Sequence, residues 1–139
     1  MTPERRSEGL AAAVRTHRSE VMDAAEEVAS RDGVDVVTPP SAGSVMLELA
    51  SPVGDFCFTE VVVTTVEVRV AGSPGWACVL GYDEEAALAA AVLDAVQGPD
   101  VEQLAERALA TEARRNEEEA RSVASTRVGA GAPEDGGNG

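Results

Sequence analysis

GDFCFTEVVVTTVEVRVAGSPGWACVLGYDEEAALAAAVLDAVQ, residues Gly54 to Gln97, decides the fold. From Phe56 to Val70 the chain reads as extended. Val66, Val68 and Val70 fall on one side, and Thr65, Glu67 and Arg69 on the other. That alternation predicts an antiparallel strand with one covered and one wet face. Ala71-Gly72-Ser73-Pro74-Gly75 reads as a tight turn. Trp76, Cys78 and Leu80 then share one face of the next strand, and Ala77 and Val79 share the other. Gly81 closes that strand. Asp83 is placed to cap a helix whose first turn carries Glu84 and Glu85, where the helix dipole favours anions. Leu88, Ala91, Val92 and Ala95 make the stripe that lies on the sheet.

Carried backwards, the same period puts Val62, Thr64 and Glu60 on the covered side. A carboxylate there is costly unless paired. Either a bulge or strand end near Val61–Val63 resets the register and leaves Glu60 in water, or Glu60 is held on that side for a purpose.

Outward from this stretch, residues 3–31 read as two helices. Thr2 caps the first and Pro3 opens it; Ser19 caps the second and Gly33 ends it. Val34–Val37 is a short extended piece, and Pro39-Pro40 excludes helix. Ser41–Ser44 reads as a turn. Val45, Leu47 and Leu49 alternate with Met46, Glu48 and Ala50 in a strand with one covered face, and Ser51–Asp55 is a hairpin connection. Gly98-Pro99 stops the alanine-rich helix. A last helix starts at Asp100 and carries Val101, Leu104, Ala105, Ala108 and Leu109 on its apolar side. Beyond Thr111 opposite charges recur at helical spacing, which reads as a solvated arm or one that docks on a partner.

The expected architecture is α+β: N-terminal helices, an antiparallel sheet of about four strands, then two C-terminal helices, the last extending as an arm. One domain over 1–128 is followed by an acidic, Gly-rich tail over 129–139 whose composition predicts disorder.

The chain has 139 residues and a net charge of −14; all eleven basic residues are Arg. Such a surface repels nucleic acid and anionic lipid. An acidic excess without Lys also reads as adaptation to very high salt, where self-repulsion is screened. No apolar run of about 18 residues is present to span a membrane. Two cysteines make no disulfide framework, and the charged start does not read as a signal peptide, so the expectation is cytoplasmic with reduced thiols. Cys57 and Cys78 are candidates for neighbours across the sheet.

Chemistry is scarce. No P-loop, GxGxxG, CxxC pair, HExxH or EF-hand occurs. The single His, His17, falls in a helix break without ligand-spaced partners, so no metal is expected. In a chain with 3% aromatics, Trp76 and Tyr82 are each a core anchor or an interface anchor, with core the first reading for Trp76.

The order of elements resembles the PhnG family, the PhnG subunit of the carbon–phosphorus lyase system. The resemblance rests on Gly43-Ser44-Val45-Met46, Phe56 and Phe58, Glu60-Val61, Val63-Thr64, Glu67-Val68-Arg69-Val70, Gly75-Trp76, Gly81, Leu93-Asp94-Ala95, and the Ala-rich run from Ala120 to Arg127-Val128. Thr59, Thr65 and Tyr82 depart from that pattern, and GAGAPEDGG replaces an aromatic-rich ending. The resemblance implies an accessory subunit, not catalytic by itself, in a complex with PhnI-, PhnH- and PhnJ-type subunits and a PhnL-type ATP-binding protein. With PhnI, PhnH and PhnL, such a subunit supports transfer of the ribose triphosphate of ATP to a phosphonate, releasing adenine. The product is ribose 1-methylphosphonate 5-triphosphate when methylphosphonate is used, and PhnJ later cleaves it. No cofactor is expected on this chain alone.

Partner-contact candidates are Thr64, Trp76, Tyr82, Arg114, Arg115, Arg121 and Arg127, with Glu60 the weak catalytic candidate. Two alternatives stand beside this reading. One is a stand-alone enzyme using Glu60 or Asp94 as acid/base. The other is a noncatalytic regulatory binding module.

Overall fold

A computed structural model of the chain describes the backbone of residues 1–50 and 56–131, and the side chains of 1–46 and 58–122. The connection expected at Ser51–Asp55 and the tail from 132 onward lie outside the described residues. The chain runs α1 (Pro3–Thr16), α2 (Arg18–Asp32), β1 (Asp35–Ala50), β2 (Phe56–Val70), β3 (Ser73–Leu80), α3 (Glu84–Val96) and α4 (Pro99–Gly131). The fold is α+β, with an antiparallel sheet in the order β1-β2-β3.

Among the described residues the sheet has three strands rather than about four, because the short piece at Val34–Val37 and the strand at Val45 are one. Pro39-Pro40 and the supposed turn at Ser41–Ser44 lie inside β1. Register shifts between Val36 and Thr38, and between Thr38 and Ser41, absorb them. β1 is an edge strand, where a residue without an N–H is tolerated and bulges are common.

The hairpin between β2 and β3 is tighter than expected. Val70 pairs with Ser73, leaving a two-residue turn. Ala71 has φ 51° and Gly72 φ 82°, the left-handed pair that matches strand twist. β3 therefore starts at Ser73, and Pro74 sits on its free edge.

Contacts α1·α2, α1·α3 and α2·α3 place these helices around one alanine-rich rod. α3 is buried nearly all round, from Ala86 and Ala87 through Ala89–Ala95, rather than along the single stripe expected. The sheet takes one side of it, and α1 and α2 take others. Leu88, expected in the stripe, is only half-buried. Alanine lets backbones approach where larger side chains would hold them apart. The limit is Gly75, where any Cβ would collide with the Ala91 carbonyl oxygen of α3. Gly9 of α1 is confined in the same way by Ala105 of α4.

The caps hold with small shifts. Thr2 Oγ1 accepts from Arg5 N at 3.1 Å. α2 opens at Arg18, with His17 rather than Ser19 at its cap position and no capping side-chain bond. α4 opens at Pro99 rather than Asp100, and Gly98 O accepts its first backbone bond from Glu102 N.

Two compact units emerge, Met1–Leu109 and Ala110–Gly139. The first holds the sheet, α1 to α3 and the first turns of α4. In the second, residues 110–131 are helical, and Ala113–Ser122 are exposed throughout.

Candidate functional site

α3 packs on the sheet side that carries Thr64, Val66, Val68, Gly75, Ala77 and Val79. All six are buried. Within the Met1–Leu109 unit the opposite side is the more open one. That side carries Trp76 and Leu80, 48% and 51% exposed, with Cys78 half-buried between them. The register sets Leu80 beside Val63, Cys78 beside Thr65 and Trp76 beside Glu67. Val45 lies opposite Val61 on the same side, and Gly43 opposite Val63. The result is an apolar surface across all three strands, flanked by Glu67 and Arg69. Trp76 is therefore not a core anchor: the Gly75–Ala91 approach leaves no room for an indole on the covered side.

Tyr82 is 79% exposed at the strand-to-helix junction. The junction is held from below by Thr64, 1% exposed. Thr64 Oγ1 donates to Gly81 O and accepts from Asp83 N at 3.1 Å. Thr64 thus offers no surface to a partner; its hydroxyl fixes the turn that presents Tyr82. Asp83 Oδ1 accepts from Ala86 N at 3.2 Å and caps α3. The Arg18 guanidinium grips the same carboxylate and holds it below the usual Asp range.

Glu60 is exposed, and Ser44 Oγ donates to its Oε2 at 2.7 Å. No bulge put it there: β2 pairs with β1 without a shift from Thr64 to Phe56. β3 stops at Leu80 opposite Val63, so the ribbon beyond it, with Glu60, pairs with β1 alone. Met46 and Phe58 on this ribbon are 63% and 64% exposed. The covered face expected around Val45 is therefore absent there, since Val45 is exposed as well.

Asp94 is occupied. Its Oδ1 accepts from Arg6 Nε at 2.8 Å and its Oδ2 from the Trp76 backbone N–H at 2.9 Å. The pair is about nine-tenths buried and ties α1, α3 and β3 together. Both carboxylate oxygens are committed to holding the fold, so Asp94 is no free acid or base. Cys57 and Cys78 are not neighbours: Cys57 pairs with Leu49, whereas Cys78 pairs with Thr65, eight residues along β2. Burial pushes the Cys78 thiol up, away from thiolate chemistry.

Arg114, Arg115 and Arg121 are exposed on α4, and the Arg127 side chain lies outside the described residues. His17 Nδ1 lies 2.7 Å from Thr16 Oγ1, and no group of metal-ligating side chains forms among the described residues. A hollow of about 660 Å³ lies against the start of α4, lined by Glu102, Gln103, Glu106 and Arg107 among others. Two of its charged groups are spent on the fold, since Glu106 pairs with Arg5 and Arg107 with Glu20.

Sequence reasoning missed the Arg6–Asp94 clamp. The signal was present: a lone carboxylate inside an alanine run is tolerated only with a buried cation near it.

Geometry defines a small α+β domain with a closed helical side, an open apolar sheet side and no assembled catalytic group among the described residues. The chain matches the family described as phosphonate metabolism protein PhnG over residues 4–130, and it belongs to that family. Among curated proteins, nothing matches it. No helix among the described residues is long and apolar enough to cross a membrane.

Proposed function

We propose that this protein is a noncatalytic partner subunit of a phosphonate-processing assembly. That assembly moves the ribose triphosphate of ATP onto a phosphonate and releases adenine. Its other members are PhnI-, PhnH- and PhnJ-type subunits with a PhnL-type ATP-binding protein. ATP and phosphonate bind to the assembly rather than to this chain alone.

The observation that carries this reading is the open sheet face. Trp76, Leu80 and Val45 stand half-exposed around Val61, Val63 and Cys78. An apolar surface of that kind marks a site of association, and a tryptophan is the side chain most often found at its energetic centre. The acid/base candidates point the same way. Asp94 is committed to Arg6, and Glu60 stands in solvent on a two-stranded ribbon.

The test is co-expression with the neighbouring PhnI-, PhnH- and PhnJ-type proteins, followed by size exclusion in molar KCl. The expected result is one shared peak. With the PhnL-type protein, adenine is released from ATP and methylphosphonate only when this chain is present. Glu60→Gln should leave both assembly and release intact. A monomer that neither co-elutes nor alters release overturns the proposal.

A further inference from the structure

A second surface lies on the helical side, remote in kind from the open sheet face. A groove of about 520 Å³ runs between α2, α3 and the start of β1. Its floor and walls are aliphatic: Met22, Ala25, Val34, Val36, Leu88 and Val92. Val36 is 48% exposed there, and Met22, Val34 and Leu88 are half-buried. Its charged lining residues are Asp23, Glu26 and Glu85, all acidic and all exposed.

Those carboxylates differ from others in the same unit. Arg5 pairs with Glu106, Arg18 with Asp83, Arg31 with Asp32, and Arg107 with Glu20. Asp23 and Glu26 have no such pair among the described residues, and Glu85 feels Arg18 only at a distance. An apolar slot rimmed by unpaired acids is complementary to an apolar side flanked by cations.

We propose that this groove docks a basic amphipathic helix of a partner protein, with its apolar stripe on Val36, Met22 and Leu88 and its arginines or lysines on Asp23, Glu26 and Glu85. A helix presents the two features together, with anchors one turn apart and charges beside them. A small molecule fits less well, because the floor holds no polar group to fix its orientation. A second copy of the groove fits less well too, since its charged lining residues are all acidic and would meet like charges at contact distance, where salt screens them least. The inference does not depend on which assembly the chain serves.

The experiment uses the isotope-labelled full chain in 1 M KCl, where the screening length is about 3 Å and diffuse attraction to an acidic surface is removed. The probe is a synthetic amphipathic helix of Leu, Ala and Arg; its control replaces Arg with Glu. The Arg peptide should shift the amides of Met22, Val36 and Leu88, and the Glu peptide should not. Asp23→Arg with Glu26→Arg changes only exposed positions, so the fold survives. It should weaken the Arg peptide by about tenfold or more and admit the Glu peptide. Shifts at the open sheet face instead, or affinity unchanged by the reversal, overturn the proposal. So does a concentration-dependent shift of the groove without peptide, which would mean that a second copy fills it.

Discussion

The two sides of β3 invert the usual division of residues. Its buried side carries the small ones, Gly75, Ala77 and Val79, and its open side the large ones, Trp76, Cys78 and Leu80. The covered side faces an alanine helix at backbone distance, so its side chains are limited by volume. The open side has no such limit. Burial here is governed by how closely two elements approach, not by how hydrophobic a residue is. The largest apolar group of the chain, the Trp76 indole, is thereby left on the open side.

Breaking the closed side should have the largest effects. Asp94→Ala leaves the Arg6 guanidinium buried and uncompensated, and should cost about 3–5 kcal/mol, read from the urea midpoint. Replacing both members, Arg6→Met with Asp94→Leu, should cost less than the single change. If the single change is harmless, the clamp is not what joins α1, α3 and β3. Next is Gly75→Val, which forces a side chain against the Ala91 carbonyl oxygen and should cost about 1–3 kcal/mol. Thr64→Val keeps the shape but strands Gly81 O and Asp83 N. A loss of about 1–2 kcal/mol is expected, with faster amide exchange at Asp83.

Smaller still is the surface pair at the head of α3. Arg18 holds the Asp83 carboxyl below its ordinary value. A depressed carboxylate stabilises the fold above its unfolded pKa of about 3.9, and that stability is lost as pH falls through the lower folded value. Arg18→Gln should therefore lower neutral-pH stability by less than about 1 kcal/mol, because the pair is solvated, and should flatten the acid-side fall in thermal midpoint. On the open side, Trp76→Ser should leave stability within about 1 kcal/mol of the parent. Its effect should appear only in assembly, as loss of the shared size-exclusion peak.

Much of this was legible in the residues. The Val66–Val68–Val70 alternation, the Asp83 cap and the break at His17 are short-range signals, and each led to the right element. Pro39-Pro40 misled, because whether a proline ends a strand depends on the strand's place in the sheet. β1 lies at an edge. For Glu60 the strand-end alternative held, and it leaves the carboxylate in water. Strict alternation assumes a face covered along its whole length, whereas β3 and α3 end before the ribbon does. That Trp76, Cys78 and Leu80 share one face of β3 was correct, but which face of β3 the helices take was not encoded in its period. It is set by Gly75, whose contact with Ala91 joins residues sixteen apart in sequence. The groove acids were invisible among twenty-five carboxylates, since only the fold shows which of them lack an arginine.

The central claim is that the open sheet face is where a partner sits. Trp76 is the single tryptophan of the chain, so 5-fluorotryptophan places one ¹⁹F label in that face. Unlabelled PhnI-, PhnH- and PhnJ-type subunits would be added while assembly is followed by size exclusion. The account predicts a solvent-exposed resonance in the isolated chain that shifts and broadens as the shared peak forms. An unchanged resonance in an assembly that has formed would contradict it.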